Sequence, residues 1–425
     1  MTKRILLYGF YGIANAGNEA MLRAFCEPIR QALKGDVEFV VASRHPDGEY
    51  NASYGVTTVP NFEYESRQQA AGRWLRGLNP DDSEHYLAFV RQVAEVDLVV
   101  LGPGQFLVET GTAGMLKGAL GQALAVVAAA RLVHTPVYGL ALACEDLESP
   151  WAKLVAQSLL EGMCERTFRD PRSVENLIRA GIQLPSYQVL GDLALAGDPA
   201  PASAARDLLD NEGIPARAGD RLAVAARNIY WLGLDQETHR QKMADTMALW
   251  LEADIRRDII MVPQNVYDVD GDRDDDRAEA RRILAKLPDS LRKRIYPIEG
   301  KYPAEALESI YGLADVTLSS RLHGAVFSCK QGTPPVMLAF MDKSRGFFRR
   351  IGQENCLIDL DANAAEIADQ LEHFLRNRSE LAADIRTSIA ENQATSRQYA
   401  KKALAHLTQG GGAGERQCWA RSLFG

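Results

Sequence analysis

The clearest fold signal lies in residues 315–340, which read DVTLSSRLHGAVFSCKQGTPPVMLAF. The apolar run at Asp315–Ser319 predicts a buried strand, and the periodicity of Leu322–Gln331 predicts a helix. After a Gly-Thr-Pro turn, Pro335–Phe340 predicts a second strand. Strands joined through a helix run parallel in one sheet, and a parallel sheet is covered by helices on both faces. This stretch therefore indicates an α/β protein.

The same alternation of strand and helix patterns occurs in two separate parts of the chain. The predicted strands of the first part are Ile5–Tyr8, Val37–Ala42, Asp97–Leu101, Val137–Leu142, Thr167–Phe168 and Tyr187–Leu190. A Pro-, Ala- and Gly-rich interval at 196–220 then interrupts the alternation, which indicates a link between domains. The predicted strands of the second part are Leu222–Arg227, Asp258–Pro263, Arg294–Pro297, Asp315–Ser319, Pro335–Phe340 and Cys356–Leu360.

These patterns predict an α/β fold with two doubly wound Rossmann-like domains facing a cleft, which resembles the glycosyltransferase-B arrangement. We expect an N-terminal Rossmann-like domain at 1–200 and a C-terminal one at 201–375. Residues 376–425 are expected to form a helical segment and a flexible tail. Ligands of doubly wound sheets bind beyond the carboxyl ends of the strands. Residues at those ends are therefore the candidates for a binding site.

The composition is that of an ordinary globular protein. The chain has 425 residues, and its net charge of −8 gives no overall attraction to nucleic acid or to an anionic membrane. Its six cysteines are scattered without a CxxC pair, which is typical of a reducing compartment. The apolar stretch Gly114–Val133 is rich in alanine and carries Lys117 and Arg131, so it predicts a core helix instead of a membrane span. We therefore expect a cytoplasmic protein with at most peripheral membrane contact.

A glycine-rich loop follows the first predicted strand and reads GFYGIANAGNEA from Gly9 to Ala20. Glycines let the backbone approach a ligand, and the helix after the loop offers free N–H groups and the positive end of its dipole. A small polar residue such as Asn18 suits a helix N-cap. The spacing is not GxGxxG, and the lysine of a P-loop is absent. A tight turn without a ligand is an equally good interpretation.

Two arginines and a histidine stand where predicted strands of the second part end. Arg321 leaves the strand Asp315–Ser319, and His323 lies in the first turn of the next helix. Arg227 ends the strand Leu222–Arg227. The carboxyl ends of parallel strands meet at one edge of a sheet, and a helix N-terminus attracts phosphate or carboxylate. These residues predict an anion site, with a structural histidine and a surface arginine as the alternatives.

Two further charged patterns allow competing interpretations. Lys343 and Arg345 open a predicted helix, where cations oppose the dipole; this hints at an anion nearby, although a solvated pair is the commoner case. Five aspartates have the alternating spacing of a calcium loop: Asp268, Asp270, Asp272, Asp274 and Asp276. Gly271 stands at the fourth loop position instead of the sixth. A solvated acidic loop is therefore favoured over calcium, and no metal is expected.

Taken in order, these segments resemble the polysaccharide pyruvyltransferase family over Lys3 to Leu375. The opening loop is similar to the family pattern G-x-x-G-x-x-N-x-G-D-E-A at Gly9, Gly12, Asn15, Gly17, Glu19 and Ala20. Asn18 stands at the position of the usual aspartate. Three shorter elements also resemble the family. Gly102-Pro103-Gly104-Gln105 is similar to its Gly-Gly-Gly-Ser turn, with proline in place of the middle glycine. Arg169-Asp170 with Ser173 is similar to its Arg-Asp-x-x-Ser element, and Gly191-Asp192 to the Asp that follows that element. The most specific match is to R-L-H…G-x-P…K: Arg321-Leu322-His323, Gly332-Thr333-Pro334 and Lys343.

The resemblance implies a transferase of polysaccharide or glycoconjugate biosynthesis. Such an enzyme moves the enolpyruvyl group of phosphoenolpyruvate onto two hydroxyls of a sugar, forming a pyruvate ketal. His323 is implied as general acid and base, with Arg321 beside it and Glu19 orienting a sugar hydroxyl. The remaining residues expected to bind substrate are Arg227, Lys343, Gly12, Asn15, Gly17, Asn18, Gly104 and Gln105. The C-terminal domain is the expected phosphoenolpyruvate side, and the N-terminal domain the acceptor side.

The implied partners are phosphoenolpyruvate, which is a donor substrate and not a cofactor, and an acceptor sugar that is free, lipid-linked or nucleotide-linked. No nucleic acid is expected, and the sequence gives no oligomeric state. Two other functions remain open. One is a glycosyltransferase of the same architecture with a nucleotide-sugar donor. The other is a non-catalytic sugar-phosphate binding protein, which the departures at Asn18 and Pro103 keep open.

Overall fold

The computed structural model describes residues 2–43, 52–61, 80–109, 118–267 and 271–409. Contacts divide the chain into two compact units. Unit 1 comprises Met1–Ile13, Met21–Ala196 and Ala394–Gly425, and unit 2 comprises Ala14–Ala20 and Gly197–Gln393. The short segment Ala14–Ala20 therefore belongs with a unit whose other residues begin much later in the chain.

Unit 1 is built on an eight-stranded sheet in which all strand pairs are parallel. Its strands are β1 (Lys3–Tyr11), β2 (Val37–Ser43), β3 (Thr57–Pro60), β4 (Leu98–Leu101), β5 (Gly104–Leu107), β6 (Val137–Cys144), β7 (Glu165–Phe168) and β8 (Gln188–Val189). They lie in the order β3-β2-β1-β4-β6-β7-β8, and β5 pairs with β6. All residues of β4 and β6 are buried, as expected for a sheet covered on both faces.

The first helices of the chain are α1 (Ala16–Ala32), α2 (Pro80–Ala94), α3 (Ala119–Leu132), α4 (Pro150–Glu161) and α5 (Pro171–Arg179). The starts of α4 and α5 follow from local chemistry, because each has proline at its first position and a side-chain cap just before it. The Asp170 carboxylate caps α5 by accepting from Ser173 N at 2.8 Å. The Asp-x-x-Ser part of the Arg-Asp-x-x-Ser element is thus a helix start.

Unit 2 is built on a six-stranded parallel sheet. Its strands are β9 (Arg221–Ala225), β10 (Asp258–Met261), β11 (Ile295–Pro297), β12 (Val316–Ser319), β13 (Pro335–Ala339) and β14 (Leu357–Asp359). The spatial order is β11-β10-β9-β12-β13-β14. If the six strands are numbered along the chain, this is the 3-2-1-4-5-6 order of dinucleotide-binding folds. The order of strands across the sheet reverses between the first and fourth strands, although all strands remain parallel. Here that reversal lies between β9 and β12.

The helices around this sheet are α6 (Arg206–Asn211), α7 (Gln236–Ala253), α8 (Asp276–Leu284), α9 (Asp289–Arg292), α10 (Ala304–Tyr311), α11 (Leu322–Gln331), α12 (Asp342–Arg350), α13 (Ala364–Arg376) and α14 (Arg378–Ser396). The predicted β12-α11-β13 unit is confirmed. Helix α11 ends at Gly332, whose φ of 77° is left-handed and favours glycine. Gly324 permits close packing, because a Cβ there would lie 2.6 Å from Ala225 Cβ and 2.7 Å from Ser319 Oγ.

The last described helix, α15 (Gln398–Gln409), packs in unit 1. The Tyr399 hydroxyl donates to Gly191 O at 2.6 Å. The Lys402 ammonium pairs with Glu165 at 3.1 Å. The residues after Gln409, which the sequence predicts to be flexible, lie outside the described ranges.

Several details differ from the sequence-based expectations. Strands β3 and β5, of four residues each, were not predicted; β3 is partly exposed and ends in proline, which weakens the strand pattern. The alanine-rich helix begins at Ala119, while 110–117 lie outside the described residues. Within the described ranges, no helix combines the length and apolarity that a bilayer crossing requires. Four described cysteines are buried free thiols and Cys164 is exposed: the buried ones are Cys26, Cys144, Cys329 and Cys356.

One buried histidine predicts an acid-dependent loss of stability. His239 in α7 is 4% exposed, and neither ring nitrogen has a hydrogen-bond partner among the described residues. Burial lowers the pKa of His239 from 6.5 to about 4, and the charges of Lys242 and Arg240 add to the shift. As the pH falls from about 6.5 to 4, His239 binds a proton in the unfolded chain but not in the folded protein. The free energy of unfolding should therefore fall by up to about 3 kcal/mol.

Urea unfolding of the wild type and of His239→Leu between pH 7 and pH 4.5 checks this. We expect the variant to lose part of the wild type's pH dependence, whereas His373→Gln, at an exposed histidine, should retain it. An unchanged pH dependence in His239→Leu would contradict the assignment.

Candidate active site

The predicted basic residues of unit 2 lie where the strand order reverses. Arg227 stands two residues after β9, and Arg321 two residues after β12. The turns after these strands are joined, because Arg227 N donates to Ser320 Oγ at 3.0 Å and Ser320 N donates to Ala225 O at 2.9 Å. We call this side of the sheet, where β9 to β14 end, its carboxyl edge. In doubly wound sheets this is the usual position of a ligand site.

A buried carboxylate holds Arg321 in place. The Arg321 Nε atom lies 3.1 Å from Asp276 Oδ1 and 3.0 Å from Oδ2, and Nη2 also donates to Oδ1. The Asp276 Oδ2 atom further accepts from the backbone N–H groups of Gln264 and Asn265, each at 2.9 Å. The Asp276 side chain is 3% exposed and that of Arg321 is 11% exposed. The guanidinium is thus fixed along one edge.

Burial and neighbouring charges shift the pKa values of Arg227 and Asp276. Burial lowers the pKa of Arg227 well below its ordinary value, and the positive charge of Arg321 adds to the shift. The charges of Asp276 and Asp274 act in the opposite direction. Burial raises the pKa of Asp276, and the Arg321 charge opposes that rise. The positive charges of Arg227 and Arg321 repel each other, so an arriving anion would relieve that repulsion.

The His323 ring lies between the beginnings of two helices. His323 is in the first turn of α11, as predicted, and Gly17 is in the first turn of α1. The backbone at Gly17 packs directly on the ring, since a Cβ there would lie 2.0 Å from His323 Nδ1 and 2.2 Å from Cγ. The N-termini of two helices therefore converge on the position of this imidazole. Helix N-termini attract negative charge, so this position favours an anion.

The segment Ala14–Ala20 is joined to unit 2 by backbone pairing. Ala16 N donates to Gln264 O at 2.9 Å, and Val266 N donates to Ala14 O at 3.0 Å. Asn15 and Asn265 form an antiparallel bridge between these two bonds. Residues 264–266 follow β10 at the carboxyl edge, so the pairing brings Gly17, Asn18 and Glu19 into the unit that contains Arg321 and His323.

The helix cap of this segment differs from the expectation. The Asn15 side chain accepts from Asn18 N at 3.1 Å, so Asn15 caps α1 and the suggested cap residue Asn18 lies inside the first turn. The same geometry gives the Asn-x-Gly-x-Glu part of the loop a physical reason. Asn15 begins the helix, Gly17 leaves room for His323, and Glu19 completes the first turn.

The prediction of a solvated acidic loop is wrong for its last member. Asp276 is buried and pairs with Arg321, and the neighbouring Asp275 and Glu279 are also buried. Asp268 and Asp270 lie outside the described residues. Across the ranges that the structure covers, no group of His, Cys, Asp and Glu side chains could hold a metal ion. Asp276 follows β10 in the chain, and β10 lies in the same sheet as β9 and β12. This position could have indicated from the sequence that Asp276 belongs to the site.

Three predicted site residues lie in unit 1. Gly12 follows β1, and Gly104 and Gln105 begin β5. The strand order of that sheet reverses between β1 and β4. The Gln105 amide donates to Glu145, and a Cβ at Gly104 would lie 2.8 Å from the Phe10 ring. In unit 2, Lys343 lies in the first turn of α12. Its predicted neighbour Arg345 pairs with Asp359 at 2.7 Å.

A known protein family matches most of this chain. The family model described as polysaccharide pyruvyl transferase matches residues 15–342. That range contains Arg227, Arg321 and His323, together with the Asn15–Glu19 turn.

The chain belongs to the polysaccharide pyruvyl transferase family. It is therefore a transferase.

Several solved structures of other proteins are similar to this chain. The UDP-GlcNAc 2-epimerase from Neisseria meningitidis is 11% identical, with a TM-score of 0.61 over 96% of this chain and 100% of that one. The UDP-GlcNAc 2-epimerase from Methanocaldococcus jannaschii is 12% identical, with a TM-score of 0.54 over 87% of this chain and 92% of that one. The spinosyn rhamnosyltransferase SpnG is 13% identical, with a TM-score of 0.51 over 96% of this chain and 100% of that one.

At these identities the likeness concerns the fold alone. It confirms the predicted glycosyltransferase-B-like fold, built on two parallel sheets flanked by helices. A comparison with curated proteins found no significant match.

Proposed function

We propose that this pyruvyl transferase moves the enolpyruvyl group of phosphoenolpyruvate onto two hydroxyls of a sugar, forming a pyruvate ketal. The observation that carries the proposal is the pair Arg227 and Arg321 at the carboxyl edge of unit 2, next to His323 at a helix start. Two cations fit a donor that carries both a carboxylate and a phosphate. Membership of the family supports the same chemistry.

Donor binding would use the parts of Arg321 that Asp276 leaves available. Asp276 engages Nε and Nη2, so Nη1 and the second hydrogen of Nη2 can donate to an anionic oxygen. Burial disfavours the charged form of Arg227, and the negative charge of a bound donor would favour it. Lys343, in the first turn of α12, would add a third cation for the phosphate.

His323 would carry out the proton transfers. A proton is delivered to the methylene carbon of phosphoenolpyruvate, which leaves a cationic C2. One sugar hydroxyl attacks C2 and loses its proton, the bond between C2 and the phosphate oxygen breaks, and phosphate leaves. A second hydroxyl then attacks C2 and loses its proton, which closes the ketal. A group that gives up one proton and takes back others suits an imidazole, which can exchange protons near neutral pH.

The acceptor would meet the turn at Asn15–Glu19. Glu19 lies in the first turn of α1, two residues after the glycine that touches His323, and its carboxylate would orient an attacking hydroxyl. Asn18 replaces the aspartate of the family pattern, so Glu19 is the acid of this turn. Gly12, Gly104 and Gln105 remain predicted contacts of the acceptor.

A nucleotide-sugar donor is the second candidate, and one observation favours it. The Neisseria epimerase that shares the fold was solved with UDP-GlcNAc, and SpnG is a rhamnosyltransferase. The helix starts at the carboxyl edge would suit a diphosphate as well as a monophosphate. A comparison of donors separates the two functions.

A thermal-shift experiment tests the donor. Millimolar phosphoenolpyruvate should raise the melting temperature of the wild type, because it binds the folded state alone. The shift should be much smaller in Arg321→Ala and persist in Arg217→Ala, which removes a half-exposed arginine paired with Asp315 away from the carboxyl edge. Stabilisation by UDP-GlcNAc and not by phosphoenolpyruvate would overturn the proposal in favour of glycosyl transfer.

A further inference from the structure

The geometry at the carboxyl edge points to a role for Asp276 in the reaction. We propose that Asp276 is the positioning residue that orients Arg321 toward the anionic donor. This inference rests on the proposed function, and it adds to the site a residue that does not itself touch substrate. Three observations carry it: the way in which Asp276 is fixed, the edge of Arg321 that it occupies, and a second buried Arg–Asp pair at the opposite edge of the same sheet.

Asp276 is fixed by rigid parts of unit 2. It is the first residue of α8, and its Oδ2 atom accepts from two successive backbone N–H groups, those of Gln264 and Asn265. These groups lie three and four residues after the end of β10, and Gln264 O accepts from Ala16 N in the segment Ala14–Ala20. A carboxylate with two backbone donors and a helix start behind it has little freedom to move. Arg321 is therefore held against an immobile partner.

The contact with Arg321 is made along one side of the guanidinium. Both Asp276 oxygens lie within 3.1 Å of Nε, and Oδ1 also accepts from Nη2. Among the described residues, the Arg321 side chain makes its polar contacts with Asp276. A free arginine loses much rotamer entropy when it binds a ligand, and a fixed partner removes that cost in advance. Asp276 thus selects one orientation, in which the opposite side of the guanidinium is presented at the carboxyl edge.

Unit 2 contains a matched pair that serves as a control. Arg221 begins β9 and Asp258 begins β10, so both lie at the opposite, amino edge of the same sheet. Arg221 Nε and Nη2 donate to the two Asp258 oxygens, each at 2.7 Å, and both side chains are less than 10% exposed. The two pairs share chemistry, burial and side-on geometry. A purely structural role for Asp276 predicts that losing either carboxylate has the same consequences.

The test compares Asp276→Asn with Asp258→Asn by calorimetric titration of phosphoenolpyruvate, with the melting temperature measured for each. Both variants should melt at a lower temperature than the wild type, because each loses a buried ion pair. Asp276→Asn alone should raise the Kd for phosphoenolpyruvate, by about 10- to 100-fold, the range seen when a ligand-binding group loses its outer partner in metal sites. An unchanged Kd in Asp276→Asn would overturn the positioning role.

A double-mutant cycle shows whether Asp276 acts through Arg321. In the Arg321→Ala background, Asp276→Asn should add no further loss of affinity, whereas independent effects on Kd would overturn the inference. If Asp276→Asn does not fold, Asp276→Glu replaces it. Glu keeps the charge but moves it by one methylene, so Kd should still rise, and a wild-type Kd would contradict the inference. Failure of the wild type to bind phosphoenolpyruvate would instead overturn the proposed function, and this inference with it.

Discussion

Replacing His323 with alanine should reduce pyruvyl transfer by about 100- to 10,000-fold, the contribution usual for a general acid and base. The fold should remain intact, because the ring is partly exposed and α11 begins without it. Phosphate release from phosphoenolpyruvate in the presence of an acceptor sugar measures the loss. Donor binding should survive, since Arg227 and Arg321 are unchanged in the variant.

The control for this experiment is His373→Ala, which removes an exposed histidine in α13. It should turn over at the wild-type rate. Wild-type phosphate release by His323→Ala would sink the proposed proton-transfer role, whereas weak donor binding with normal turnover at saturating phosphoenolpyruvate would make His323 a binding residue.

Replacing Gly17 with alanine should be nearly as damaging, although the change is one methyl group. The added Cβ would lie 2.0 Å from His323 Nδ1 and 2.6 Å from Cε1, so the ring or the turn must move. Displacement of a catalytic group by about 1 Å can cost about 100-fold in rate. We expect kcat to fall by that order while the Kd for phosphoenolpyruvate changes little, because the cations at the strand ends stay in place.

Gly197→Ala provides the comparison for Gly17→Ala. A Cβ at Gly197 would meet only Lys330 Nζ, at 3.7 Å, which is an ordinary contact within unit 2. This variant should keep both its kcat and its melting temperature. Normal turnover in Gly17→Ala would mean that the imidazole does not need its observed position.

Local patterns in the sequence were enough to predict most of the fold. The β12-α11-β13 unit, the parallel character of both sheets and the helix start at Arg321–His323 all follow from short-range periodicity and turn residues. Rossmann-like sheets place ligands at strand ends, so Arg227, Arg321 and His323 could be nominated without coordinates. Each of these inferences depends on neighbours within about one turn of helix or one strand.

Other features depend on pairing between distant residues and could not be predicted in this way. The bridge between Asn15 and Asn265 joins residues that no local period relates. The salt bridge between Asp276 and Arg321 has the same character, and the alternating aspartates before it suggested a solvated loop instead. The choice of Asn15 over Asn18 as helix cap was also missed, because both residues have a suitable side chain and only the pairing with residues after β10 sets where α1 begins.

The assignment of Ala14–Ala20 to unit 2 has a consequence for recombination between relatives. A crossover near residue 197 that exchanged the two halves of the gene would place one parent's Gly17 turn against the other parent's His323. The two halves are therefore not independent modules. The seven residues Ala14–Ala20 would have to come from the same parent as the second half for His323 to keep its packing against Gly17. Hybrid enzymes that exchange whole units would need four junctions, near residues 13, 20, 196 and 393, where a simple exchange of halves would use one.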